Sequence, residues 1–260
     1  MKKVLFLSLI VLSISSCGLL TQANWDPTQL AVAASSALSA ASISDAQIVA
    51  LSQKSVAQLD AKNTMAPDSY QKRLARLMAG ITNIEGLPIN YKVYQTKEIN
   101  AFACGDGSIR VYSGLMDIMD DNELMAIIGH ECGHVVHQDT KRAMKSEYLA
   151  YAARNVIGAS GGTIGALSNS VLGSIGESFV DSKYSQKQEY AADEYGYKFA
   201  VDHGYSPYSM CNALEKLVKL SSGTQASYVQ KMFSSHPDSA ERAQRMRQKA
   251  DAATAKAAKK

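Results

Sequence analysis

Apolar positions along this 260-residue chain change their period repeatedly, and each change marks a predicted element. Behind Lys2 and Lys3, Val4 to Ile14 is a nearly unbroken apolar run. It is too short to span a bilayer comfortably and has the form of a signal-peptide core. Residues 18–42 are rich in Ser and Ala and hold no sustained period. From Ser44-Asp45 a helical pattern runs to about Ala61, and Pro67-Asp68 opens another to about Ile81. Three short strands follow, Ile89–Gln95, Ala101–Cys104 and Ser108–Tyr112, the last two joined at Gly105-Asp106-Gly107. Asp121-Asn122-Glu123 then makes an acidic helix start. Its body, Leu124, Met125, Ile127, Ile128, Val135 and Val136, is apolar enough for burial. A second polar start at Ser185 leads into Tyr197, Phe199 and Ala200, and Pro237 begins a last helix. Residues 156–176 carry Gly158, Gly161, Gly162, Gly165, Gly173 and Gly176. That stretch is either a mobile flap beside a cleft or a pair of closely packed helices. The pattern as a whole predicts an α+β fold, mostly helical, with a small sheet.

The buried helix carries candidate chemistry. Residues 130–134 read His130-Glu131-Cys132-Gly133-His134. On a helix the two histidines lie four residues apart on one face, where one tetrahedral Zn²⁺ can accept both. Glu131 lies roughly 100° round the helix from His130 and flanks the metal. There it suits the general base that takes a proton from the attacking water in peptide hydrolysis. A catalytic zinc takes three protein ligands, so a third is needed. Position 140 is Thr140, which excludes a third histidine at the H-E-x-x-H-x-x-G-x-x-H spacing. His137 reads as a helix C-terminal residue facing the dipole or solvent. Glu189 is the candidate third ligand. Asp193, one turn later on the same face, is placed to orient a ligating histidine. His236, in Ser234-Ser235-His236-Pro237-Asp238, donates to the oxyanion of a tetrahedral intermediate, fills the fourth metal position and holds the protein latent, or is a plain loop or cap histidine.

His130-Glu131-x-x-His134, Glu189-x-x-Ala192-Asp193 and His236-Pro237 together resemble the HtpX/Ste-type family of gluzincin peptidases. The resemblance covers roughly residues 43–250 and includes Asn90 to Tyr94, Asn100 to Ala103 and Ile109 to Met116. It implies a zincin-like domain, one Zn²⁺ per chain, endopeptidase activity, and Glu189 as ligand with Asp193 behind it. It also implies that Asn100, Ala101, Phe102 and Ala103 form an edge strand over the cleft, to which an extended substrate adds through main-chain bonds. The alternative is that this hairpin simply covers the core. Two positions depart from the family pattern: Ala191 stands for a second acid, and Gln186 for an arginine. The resemblance further implies unfolded or misassembled envelope proteins as substrates and envelope chaperones or proteases as partners. A second reading, from another class, is a zinc-bearing lipoprotein that acts as a chaperone-like binder with little turnover; Glu131 argues against it, because a binder has no use for that base.

Ile14-Ser15-Ser16-Cys17-Gly18 resembles a bacterial lipobox. By that resemblance residues 1–16 are a lipoprotein signal peptide and Cys17 is lipidated, anchoring the chain to the membrane. Gly18 resembles the outer-membrane sorting pattern, which places the protein at the outer membrane facing the periplasm. Residues 17–42 are then a tether, 43–250 the metallopeptidase domain and 251–260 a basic disordered tail. The net charge of +3 hides an asymmetry: residues 241–260 hold seven basic and two acidic residues, and the 17–240 body carries −4. The basic end reads as a solvated helix face, and nothing resembles a nucleic-acid module. Removing Cys17 leaves Cys104, Cys132 and Cys211, an odd number that allows one disulfide and one free thiol. Cys132 reads as a core residue, not a ligand.

Overall fold

A computed structural model describes residues 43–155, 167–224, 226–237 and 239–259. Cys17, the signal sequence and the tether lie outside them. Ten helices and five strands are described, in the order α1 (Asp45–Lys62), α2 (Asp68–Leu77), β1 (Asn83–Ile84), β2 (Leu87–Pro88), β3 (Asn90–Tyr94), β4 (Ala101–Ala103), β5 (Ser108–Tyr112) and α3 (Ser113–Ile118). Then come α4 (Asp121–Val136), α5 (Asp139–Asn155), α6 (Asn169–Val180), α7 (Gln186–Asp202), α8 (Ser209–Ser221), α9 (Ala226–Ser235) and α10 (Ser239–Ala257). This is the mostly helical α+β fold that the sequence predicts.

Local chemistry accounts for the helix starts. Ser44 with Gln47, Asp120 with Glu123 and Ser185 with Gln188 each form a reciprocal capping box, which satisfies the first free N–H groups of α1, α4 and α7. The chain turns between β4 and β5 at Gly107, whose φ of 85° is costly for any residue with a Cβ.

The main sheet has the order β3-β5-β4, with β3 parallel and β4 antiparallel to β5. Beyond β3, Thr64 and Ala66 add backbone bonds to Gln95 and Val93, so that edge is covered. β4 forms the other edge. One face of the sheet (Val93, Ala101, Ala103, Ile109, Val111) packs with Leu124, Ile128 and Cys132 of α4. Tyr94, Phe102, Cys104 and Tyr112 on the opposite face pack against Leu51, Val56 and Leu59 of α1 and Ile175 and Phe179 of α6. The sheet is therefore buried on both sides, and the zinc-motif helix lies directly against it.

Three expectations change. The helix after Pro67 ends at Leu77, because Gly80 takes a φ of 82° and breaks the pattern before Ile81. The final helix starts at Ser239 rather than Pro237 and runs through Ala257, so most of the expected disordered tail is helical, as its alanines favour. Of the glycine-rich stretch, residues 156–166 lie outside the described residues. Gly173 and Gly176 sit on α6, where a Cβ at Gly176 would lie 3.2 Å from Leu59 of α1. This part is a close-packed helix, not a flap.

One buried charge ties α1 to the sheet. The Arg110 guanidinium on β5 is 2% exposed and makes a two-pronged contact with Asp60 of α1, Nε to Oδ1 at 2.8 Å and Nη2 to Oδ2 at 3.0 Å. Tyr94 and Lys92 also donate to Asp60, each at 2.7 Å. Burial alone would raise the Asp60 carboxyl, but Arg110, Lys92 and Tyr94 overcome it and hold the group below its ordinary value. A depressed folded-state value stabilises the fold above the unfolded value of 3.8, and that contribution is lost as pH falls through the folded one. Asp60→Asn leaves Arg110 buried without its counter-charge and should cost about 3 kcal/mol in urea unfolding. The same substitution should flatten the acid limb of the stability curve.

Candidate metal centre

Two helices build the site, and small residues set the distance between them. α4 crosses α7 where Gly133 faces Ala192: a Cβ on Gly133 would lie 3.0 Å from the Ala192 Cα and from the Tyr195 Cβ. One turn along, a Cβ on Gly196 would lie 2.7 Å from the Ala126 carbonyl oxygen and 2.8 Å from the His130 amide nitrogen. Side chains at these positions would force the backbones apart. The close crossing brings Glu189 and Asp193 of α7 up to His130 and His134 of α4.

The four candidate donors converge. His130 Nε2 and His134 Nε2 are 3.1 Å apart, and Glu189 Oε1 lies 3.3 Å from His134 Nε2. His236 Nδ1 is 3.1 Å from Glu189 Oε1 and 3.3 Å from His130 Nε2. One ligand atom from each of His130, His134, Glu189 and His236 falls within 4.8 Å of the others, and all four residues are buried. Glu131 sits beside this set, with Oε1 3.7 Å from His236 Nε2. That oxygen is buried and has no hydrogen-bond partner among the described residues.

Both ligating imidazoles are oriented from behind. His130 Nδ1–H donates to Asp193 Oδ1 at 2.9 Å. His134 Nδ1–H donates to Asp139 Oδ2 at 3.0 Å. Because a carboxylate only accepts, each ring keeps its proton on Nδ1 and turns a lone pair on Nε2 toward the centre. Arg242 of α10, 2% exposed, grips Asp193 with Nε at 2.8 Å and Nη2 at 2.7 Å, and its Nη1 pairs with Glu189 Oε2. Arg142 and Gln188 complete the shell of Asp139.

This arrangement calls for a cation. With both rings neutral, two nitrogen lone pairs and a carboxylate meet at 3.1, 3.3 and 3.7 Å and repel unless something positive sits between them. The wider charge count agrees: Glu131, Asp139, Glu189 and Asp193 are buried acids, faced by the guanidinium groups of Arg142 and Arg242. A divalent ion among neutral imidazoles balances that sum. The nitrogen and oxygen donor set, with no sulfur, suits zinc.

The titration of the ligands shows the same demand. Burial alone would lower the His134 imidazole, but Asp139 and Glu189 outweigh it and raise the group to about 9. Burial likewise opposes the Glu189 carboxylate, yet the imidazoles of His236, His134 and His130 hold it well below its ordinary range. For His130 burial wins and the value falls, with Asp193 opposing.

Several sequence expectations resolve here. His137 caps the end of α4, with its ring 6.3 Å from that of Tyr195, and takes no part in the donor set. Cys104, Cys132 and Cys211 are all free and buried, so the disulfide that their number allowed is not formed. Burial pushes the Cys132 thiol far up, which leaves it an inert core residue. Gln186, at the position of the family arginine, donates to Glu241.

Asp139, Arg242 and Tyr184 went unrecognised in the sequence. Asp139 lies just past the end of α4, five residues after His134, and no motif spacing flags it. Arg242 belongs in sequence to the basic end, which reads as a solvated face; it points inward because Asp193 and Glu189 are there to receive it. Tyr184 precedes the cap of α7, and its ring stacks on His134 with centroids 3.9 Å apart and planes 14° apart.

On the edge strand, Asn100, Ala101, Phe102 and Ala103 are buried, backbone included. The even-numbered residues bond to β5, as Tyr112 N–H to the Asn100 carbonyl and Cys104 N–H to the Ser108 carbonyl show. The odd-numbered backbone groups therefore point away from β5. Ile99 N–H meets the Tyr228 carbonyl of α9 at 2.9 Å, and Ala101 N–H meets Asn100 Oδ1 at 2.9 Å. The hairpin thus covers the core, and its outer backbone edge is itself buried.

Comparison with known proteins agrees with this geometry. Residues 67–250 match the description of peptidase family M48. The chain is 45% identical to metalloprotease LoiP of Escherichia coli strain K12 over 232 residues, which cover 88% of this chain and 90% of that protein. It is 42% identical to metalloprotease YcaL of the same strain over 214 residues, 81% of this chain and 83% of YcaL. A more distant similarity, 28% over 173 residues, links it to the beta-barrel assembly-enhancing protease of Yersinia pestis, covering 62% of this chain and 34% of that one.

If His134 holds a proton in the metal-free protein, zinc must expel it. Near pH 7.5 zinc uptake should release about one proton per chain, read by calorimetry in buffers of different ionisation enthalpy. A raised value also means that the charged ring supports the metal-free fold fully below 6.5, and that this support is lost as pH rises through about 9. Above that pH the proton release should vanish.

Proposed function

Because the chain belongs to peptidase family M48 and is a zinc metallopeptidase, we propose that it is an endopeptidase of misfolded or misassembled envelope proteins. The observation that carries the chemistry is the buried, unpartnered Oε1 of Glu131 beside the converging donors of His130, His134 and Glu189. Zinc held by those three residues supplies Lewis-acid polarisation of a peptide carbonyl. Glu131 Oε1 accepts a proton from the attacking water and passes it to the departing amide nitrogen. Asp193 and Asp139 keep the Nε2 lone pairs of His130 and His134 directed inward, and Arg242 holds Asp193 and Glu189 in place.

In the segment Asn100 to Ala103, the backbone groups of Ala101 and Ala103 that point away from β5 offer main-chain pairing to an extended substrate, without a demand on sequence, once the cover over this buried edge opens. That tolerance fits a protease whose clients are defined by being unfolded. The name of the Yersinia relative, a protease that enhances beta-barrel assembly, points the same way. We place the protein at the outer membrane, facing the periplasm and anchored through a lipidated Cys17. Among the described residues no helix is long and apolar enough to cross a membrane. Cys17→Ser should move the protein from the membrane fraction to the periplasmic one.

For His236 the geometry favours the latent reading. Its Nδ1 lies among the metal donors, and no donor residue is more than 6% exposed. With a metal bound, the imidazole would supply a fourth donor and occupy the position that a substrate carbonyl needs. Cleavage of reduced casein by the soluble mature domain separates these roles. Wild type should yield fragments slowly and Glu131→Ala none at equal zinc content. His236→Ala should cleave faster than wild type. Loss of cleavage in His236→Ala would return that residue to oxyanion stabilisation, and no fragments from either wild type or His236→Ala would favour a binding role.

A further inference from the structure

We infer that the N-terminal cap of α7 is a clamp on the metal ligand His134, with Tyr184 and Gln188 as positioning residues that set how tightly zinc is held. The inference rests on zinc binding by His130, His134 and Glu189 and adds the residues that control it.

Tyr184 immediately precedes the cap residue Ser185. Its ring lies flat on the His134 imidazole, 3.9 Å away between centroids, and is 8% exposed. Its N–H donates to the Ser235 carbonyl at 3.1 Å, which ties it to the residue before His236. The face of His134 is thus shielded from water, and the ring cannot swing toward Tyr184.

Gln188 holds the edge of the same imidazole. Its Oε1 accepts from Ser185 N–H at 2.9 Å and from Ser185 Oγ at 2.7 Å, which is its half of the capping box. Its Nε2 donates to Asp139 Oδ1 at 2.7 Å. The other carboxylate oxygen of Asp139 accepts from His134 Nδ1. The amide cannot be reversed: a flip would set its NH₂ against the Ser185 N–H and its oxygen against a carboxylate. One side chain therefore closes the helix start and anchors the carboxylate that orients His134. The same cap fixes the first turn of α7, which carries Glu189. Two of the three ligands are held by one local structure.

The capping role and the clamp role make different demands at position 188. Glutamate serves a capping box as well as glutamine does, but it sets a second carboxylate against Asp139. Zinc affinity of the full domain is measured by competition with a chromophoric chelator, beside the melting temperature of each metal-free form. Gln188→Glu should leave the metal-free protein folded, with a cooperative melting transition, and bind zinc at least about tenfold more weakly, the scale on which partners of ligands act. Tyr184→Ala should weaken zinc binding similarly, whereas Tyr184→Phe, which keeps the ring, should match wild type. Wild-type zinc affinity in Gln188→Glu would overturn the clamp. So would a Tyr184→Phe that is as weak as Tyr184→Ala, since the hydroxyl and not the stack would then matter. Failure of wild type itself to bind one zinc would instead count against the metal assignment.

Discussion

The close crossing of α4 and α7 is the constraint on which the site depends. His130 and His134 are fixed relative to one another by helix geometry alone, but Glu189 lies more than fifty residues away in sequence. It reaches the histidines because Gly133, Ala192 and Gly196 remove the side chains that would otherwise separate the backbones. The contact at Gly196 is made to the backbone of Ala126 and His130, which cannot move aside as a flexible side chain could. Glycine inside a helix costs roughly 0.5–1 kcal/mol relative to alanine, and here that cost is tolerated at the points of contact. Packing and chemistry are therefore one requirement: the residues that allow the helices to touch also set the distance between the ligands.

Charge is the second requirement, and it follows from the first. Bringing the helices together buries Glu131, Glu189, Asp193 and Asp139 around two imidazoles. Such a cluster is unfavourable without compensation. Arg242 supplies part of it from the last helix, so the C-terminal segment belongs to the centre although it is remote in sequence. The remainder falls to the metal, or in its absence to a proton on His134. Sequestration follows as well, since the stacked Tyr184 and the inserted His236 leave the donors almost without solvent contact.

Much of this was legible in the sequence where the signal is local. The capping residues Ser44 and Ser185, the buried body of α4, the strand Ser108–Tyr112 and the spacing of His130, Glu131 and His134 depend on near neighbours. Glu189 and Asp193 were found because their own spacing matches one helix face. Asp139, Tyr184 and Arg242 were not, because each acts through a tertiary contact that no short pattern encodes. Arg242 shows the difficulty: in sequence it is one of several basic residues near a charged end, and only its partners distinguish it. The pairs Gly129 and Gly133, and Ala192 and Gly196, did carry a signal. Small residues four apart on two helices are the mark of close approach, but in a soluble chain that pattern is weak until the helices are known to meet.

The most direct test of the account is zinc-edge X-ray absorption of the purified domain, with metal content measured on wild type and Glu189→Ala. The account predicts one zinc per chain in wild type, a first shell of nitrogen and oxygen with imidazole scattering, and a marked loss of zinc when Glu189 is removed. Sulfur in the first shell, or a zinc content and spectrum unchanged by Glu189→Ala, would contradict it.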